Sequence, residues 1–106
     1  MDRLKLIKKK AIVINSKDNV ATVLDDLKAG EVIQEEVDSI KKKIKLNQDI
    51  PFGHKFSLKE IPSGSPVIKY GETIGTASMA IKIGDYVHIH NVKSNRGRGD
   101  IKGGVL

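Results

Sequence analysis

Apolar residues along this chain fall in short runs broken by glycine, proline and lysine, the pattern of many short strands. Lys10-Ala-Ile-Val-Ile-Asn15 is an apolar run of a length that suits a buried strand. Asp18 or Ser16 then caps an expected short helix, with Val20, Val23, Leu24 and Leu27 at i, i+3, i+4 and i+7 on one face and Gly30 at its end. Val32-Ile33 and Ile40 to Leu46 read as strands, and Ile44 and Leu46 alternate with lysines as in a sheet with one wet face. Ser57 to Glu60 suits one helical turn, and Val67, Ile68 and Tyr70 a strand. Gly71-Glu72 is expected as the two-residue centre of a hairpin whose return strand runs from Thr73 to Ala77. Tyr86 to Val92 reads as the last strand, with Val87 and Ile89 on one face and Tyr86, His88 and His90 on the other.

One pattern recurs: Leu27-x-x-Gly30-x-x-Ile33, Ile50-x-x-Gly53-x-x-Phe56, Ile61-x-x-Gly64-x-x-Val67 and Ile81-x-x-Gly84-x-x-Val87. Each reads as an apolar anchor, a glycine turn and re-entry into a strand. Their irregular spacing excludes a solenoid, and the expected fold is mainly β, compact and twisted, with one or two short helices. All three prolines, Pro51, Pro62 and Pro66, lie in the middle of this series, where each fixes a bend. Past Val92 the hydrophobic pattern stops, so residues 1–95 are read as one domain and 96–106 as a basic, glycine-rich tail.

Composition sharpens this picture. With 39% hydrophobic but only 4% aromatic residues, the core is built from Ile, Val and Leu, which favours β structure. A length of 106 residues suits one modest core. The chain has no cysteine, which excludes disulfides, thiolate metal sites and thiol nucleophiles. Leu4 to Ile7 is too short for a signal-peptide core and no run approaches a membrane span, so a soluble cytoplasmic protein without membrane partners is expected. The net charge of +6 is mostly lysine, in runs such as Lys8-Lys9-Lys10 and Lys41-Lys42-Lys43 that read as solvated faces. Two Phe, two Tyr and no Trp leave few platforms for stacking bases, so nucleic acid is not the expected partner.

Two tripeptides look chemical rather than structural: Gly53-His54-Lys55, after a Pro-Phe turn, and His88-Ile89-His90, in an alternating pattern. Period-2 alternation places His88 and His90 on one face, where they either act together or simply meet water. Lys55 points away from His54 if a strand begins there, whereas a turn brings it toward an anionic group. Asn91 either donates to a substrate oxygen or ends the strand.

The segment from Asp49 to Gly75, with its Gly-His-Lys-Phe and Lys-Tyr-Gly-Glu motifs, followed by Ile83-Gly-Asp-Tyr-Val-His-Ile-His-Asn-Val92, resembles the small SAF domain of the altronate and galactarate dehydratases. The resemblance runs from roughly Ala11 to Asp100 and implies a β-clip fold. The same small domain occurs in sulfolactate sulfo-lyases. Family enzymes carry a much larger catalytic region, fused or as a separate subunit, so the resemblance implies that this chain is a small subunit or an excised domain, inactive without its large partner. It further implies an anionic sugar-acid substrate and a divalent metal, iron(II) first and manganese second, that polarises the substrate oxygens. His54, His88 and His90 are then the expected catalytic and metal-ligating residues, and Lys55 and Asn91 the substrate-binding ones. Two alternatives stand beside the hydro-lyase: a sulfo-lyase small subunit, and a non-catalytic SAF module that binds carbohydrate or nucleic acid.

Overall fold

The computed structural model describes residues 10–37 and 39–94. The tail expected over residues 96–106 lies outside them. Among these residues nine strands run in chain order: β1 Ala11–Ile12, β2 Val20–Val23, β3 Val32–Val37, β4 Ile40–Lys45, β5 Lys55–Ser57, β6 Pro66–Lys69, β7 Glu72–Ala77, β8 Tyr86–Val87 and β9 Val92–Ser94. They form three antiparallel sheets, β1-β2-β5-β8, β3-β4 and β6-β7-β9. This is the mainly β architecture of short strands that the resemblance implied, consistent with a β-clip.

The recurrent anchor-glycine pattern builds the fold twice over. Leu27 and Ile50 exchange both backbone hydrogen bonds, at 2.9 and 2.8 Å, and Ile61 and Ile81 do the same at 2.9 Å each. The Gly30 N–H donates to Leu46 O as the Gly64 N–H donates to Ala77 O, and the Gly53 N–H donates to Val23 O as the Gly84 N–H donates to Ser57 O. Each half is thus a hairpin, β3-β4 or β6-β7, clamped at its base by two anchors and two glycine turns. All four glycines take φ between +86° and +92°, a region that strains any residue with a Cβ. The strands that leave the two halves, β5 and β8, pair with each other through Lys55 opposite Val87 and Phe56 opposite Tyr86.

No helix forms among the described residues, which corrects two expectations. The helix expected from Val20 to Leu27 is β2 followed by a bend and the Leu27 bridge. Val20 packs in one core with Val67, Ile81 and Val87, whereas Ala21 and Val23 pack in another with Phe56 and Leu58. A strand buried on both faces spaces its apolar residues much as a helix does, and the β2 pairing with β1 and β5 decides the outcome. The turn expected at Ser57 to Glu60 is instead the end of β5 and a bend, held where the Leu58 N–H donates to Asn19 O at 2.8 Å.

Two further boundaries move. The β6-β7 turn is centred on Tyr70 and Gly71, one residue earlier than expected, with φ of 54° and 81° as a type I′ turn demands. Buried Asp18 holds it by accepting the Gly71 N–H at 2.7 Å. The expected strand Tyr86 to Val92 is broken after Val87, and β9 joins a different sheet. Asn91 causes the break: its Oδ1 accepts the His88 N–H at 3.0 Å and its Nδ2 donates to Tyr86 O at 2.9 Å, closing a turn.

Candidate functional site

His54 stands at the end of the Pro51 to His54 turn, where the His54 N–H donates to Pro51 O at 2.9 Å and Gly53 supplies the positive φ. Its carbonyl accepts the Val23 N–H at 2.8 Å, and the Phe52 N–H donates to Asp26 Oδ1 at 2.9 Å, so the turn is tied to the β2 end on both sides. Tyr86 and the Tyr86 to Asn91 turn approach from β8. The result is a cluster of four rings. His54 and His88 lie 4.8 Å apart between centroids, Tyr86 stacks on His88 at 5.8 Å and 6°, and His90 lies 5.5 Å from Tyr86. The Tyr86 hydroxyl and His54 Nδ1 are 2.8 Å apart, within hydrogen-bond distance.

His54, His88 and His90 therefore share one cluster, but not by the expected route. They meet because two turns from the two halves meet, and His88 and His90 sit on a turn rather than along one strand face. Tyr86, which the sequence reading used only as a strand residue, is the hub that touches all three imidazoles. Burial, followed by the neighbouring charges of His54, Lys55 and His90, holds the His88 imidazole below its ordinary value. Its Nδ1 is buried without a hydrogen-bond partner.

Lys55 opens β5, so its side chain leaves the strand on the face opposite His54 and Phe56. It is only 2% exposed, which removes the reading of a solvated lysine. Its register partners are Thr22 and Val87, and no carboxylate pairs with it among the described residues. Burial, then the Lys69 charge, pushes its amine below the ordinary lysine value. Thr22, directly opposite, keeps a buried Oγ1 without a hydrogen-bond partner. A buried hydroxyl without a partner opposite a buried amine suits an anionic group better than a cation. Asn91, the other expected substrate ligand, is buried and spends its side-chain amide on the turn.

A three-imidazole metal site is not assembled within this chain: among the described residues no three His, Asp or Glu side chains stand where they can hold one ion. His54 Nδ1 is already engaged by Tyr86, which narrows its ligating capacity to Nε2. A groove of about 290 Å³ lies elsewhere, between Val13, Asp18, Glu35 and Ser39. Its acidic lining has the wrong sign for an anionic substrate, and Asp18 already accepts the N–H groups of Ile14, Asn15 and Gly71. No helix among the described residues is long and apolar enough to cross a membrane.

Comparison with known proteins identifies the family. Over 87 residues, 82% of this chain, it is 40% identical to the altronate dehydratase of Bacillus subtilis (strain 168), covering 17% of that protein. Over 84 residues, 79% of this chain, it is 44% identical to the altronate dehydratase of Escherichia coli (strain K12), covering 16% of it. The alpha subunit of (2R)-sulfolactate sulfo-lyase from Paracoccus pantotrophus is 48% identical over 48 residues, 45% of this chain and 72% of that subunit. The chain thus spans about a sixth of the length of the altronate dehydratases it matches. The profile of the altronate/galactarate dehydratase SAF domain matches residues 9–95, both halves of the fold and all four rings of the cluster included, and the chain belongs to that family.

Proposed function

We propose that this chain is the small domain of a sugar-acid dehydratase and contributes the His54, Tyr86, His88 and His90 cluster to a substrate site that a larger catalytic region completes. The observation that carries the reading is the meeting of the Gly53-His54 turn with the Tyr86 to Asn91 turn inside a segment matched throughout by the dehydratase SAF family. Removing a weakly acidic proton beside a carboxylate and expelling hydroxide needs a base, an electrophile and a way to hold an anion. In this reading the imidazoles handle protons and hydrogen bonds, and the positive charge of buried Lys55, felt at His88, favours an anionic substrate over a cationic one. His90 is exposed, so the cluster needs a covering partner to exclude water from the reaction. A divalent ion, iron(II) or manganese, would supply the electrophile, with ligands drawn from the larger region, because His54, His88 and His90 are not arranged to hold one ion together.

The sulfolactate sulfo-lyase alpha subunit supports a second reading, in which the same small domain serves a lyase that expels sulfite. The test for both is complementation. An altronate dehydratase relative stripped of the matching segment is mixed with this chain and assayed on altronate, galactarate and sulfolactate. Turnover that needs both parts is expected, and the productive substrate chooses between the readings. Full turnover by this chain alone, or none from the mixture while the intact relative is active, sinks the proposal.

A further inference from the structure

Tyr86 is held from both sides before its ring reaches the cluster. Its N–H donates to Gln48 Oε1 at 2.8 Å, its carbonyl accepts from Asn91 Nδ2, and Phe56 pairs with it across β5 and β8. The phenol then meets three imidazoles in three different ways. It stacks nearly parallel on His88, at 6°, which presents a π face and no nitrogen lone pair to the hydroxyl. It lies tilted against His90 at 53°. Only toward His54 does it make a hydrogen bond, at 2.8 Å to Nδ1.

We infer that Tyr86 is a positioning residue whose hydroxyl donates to His54 Nδ1 and fixes His54 as the tautomer protonated on Nε2, a hydrogen-bond donor for a carboxylate or hydroxyl oxygen of the sugar acid. Two physical arguments give the direction of the bond. A phenol is a better donor than a neutral imidazole N–H, and an unprotonated imidazole nitrogen is a better acceptor than a phenol oxygen. The reverse arrangement would also turn the phenolic proton out to solvent, because among the described residues the hydroxyl has no hydrogen-bond partner but His54 Nδ1.

The consequence is a division of labour. A neutral His54 with its proton on Nε2 stabilises negative charge building on a substrate oxygen and does not act as the base. A metal ion on Nε2 would force the opposite arrangement, with the proton on Nδ1 donated to the Tyr86 oxygen. The role toward a sugar acid rests on the function proposed above, whereas the tautomer does not.

The deciding experiment is long-range proton–nitrogen correlation of the imidazoles in the full, nitrogen-15-labelled chain, at a pH about two units above the ordinary imidazole value. The expected result is a pyrrole-type Nε2 and a hydrogen-bonded, pyridine-type Nδ1 for His54, and a mixture of tautomers in Tyr86→Phe. The same spectrum reports whether the variant is folded. In the complemented enzyme Tyr86→Phe is expected to lower kcat about tenfold with little change in KM, the scale of one lost hydrogen bond. A proton on Nδ1 in the wild-type chain, or one unchanged tautomer in Tyr86→Phe, overturns the inference. Absence of turnover from the complemented wild-type enzyme overturns the sugar-acid reading and the donor's substrate with it, while the nitrogen signature still decides the role of Tyr86.

Discussion

Burying Lys55 as a cation, with no carboxylate paired to it among the described residues, works against folding, and that cost separates a functional lysine from a structural one. Lys55→Met keeps the length of the stem and removes the charge, so at neutral pH it is expected to stabilise the chain by about 1 kcal/mol or more in urea denaturation. Because the folded state holds the Lys55 pKa below its ordinary value of 10.5, the unfolded chain binds the proton more readily. The penalty is therefore full at low pH and is relieved as pH rises through the folded value toward 10.5, so the advantage of Met should shrink over that window. A loss of stability in Lys55→Met at neutral pH would mean that the amine holds the fold together. His88 obeys the same sign at lower pH. Its folded pKa lies below 6.5, so its contribution is intact above 6.5 and lost as pH falls from there through the folded value. His88→Asn should flatten that part of the stability profile, and an unchanged acid limb would show that the imidazole is not disfavoured as a cation.

At the scale of elements, the glycine turns carry the fold unequally. A Cβ at Gly30 meets nothing within 4 Å, so Gly30→Ala should cost only the positive-φ strain, about 1–2 kcal/mol. At Gly84, with φ of +89°, a Cβ would run into Lys45 O, and Gly84→Ala should cost about 3 kcal/mol or more. Urea midpoints of the two variants check this, and equal midpoints would show that the packing of Lys45 over Gly84 relaxes freely. These turns were readable in the sequence because an apolar anchor followed by glycine is a local signal. The β2 strand was not, because Val20 and Val23 face different cores and that division exists only once the sheets have packed. The break after Val87 escaped for a similar reason, since period-2 alternation continues through a segment that the Asn91 side chain folds into a turn.

For the whole molecule, the charge of +6 makes one further prediction. Nucleic acid should bind weakly, with little discrimination between sequences, and should be released as salt rises, because lysine runs without stacking rings neutralise phosphates and read nothing else. Tight retention of one defined sequence at physiological salt would favour the binding-module reading over the enzyme. Composition and motif order were enough to determine a mainly β chain, its glycine turns, its family and the three histidines worth attention, since those follow from local preference and from residues adjacent in the chain. Tertiary structure alone decided that Leu27 clamps Ile50 and Ile61 clamps Ile81, that Lys55 is buried beside Thr22, and that Tyr86 joins the imidazoles. Each of those depends on which strand lies beside which, and pairing between residues far apart in the chain is set by closure of the whole fold, not by any window of its sequence.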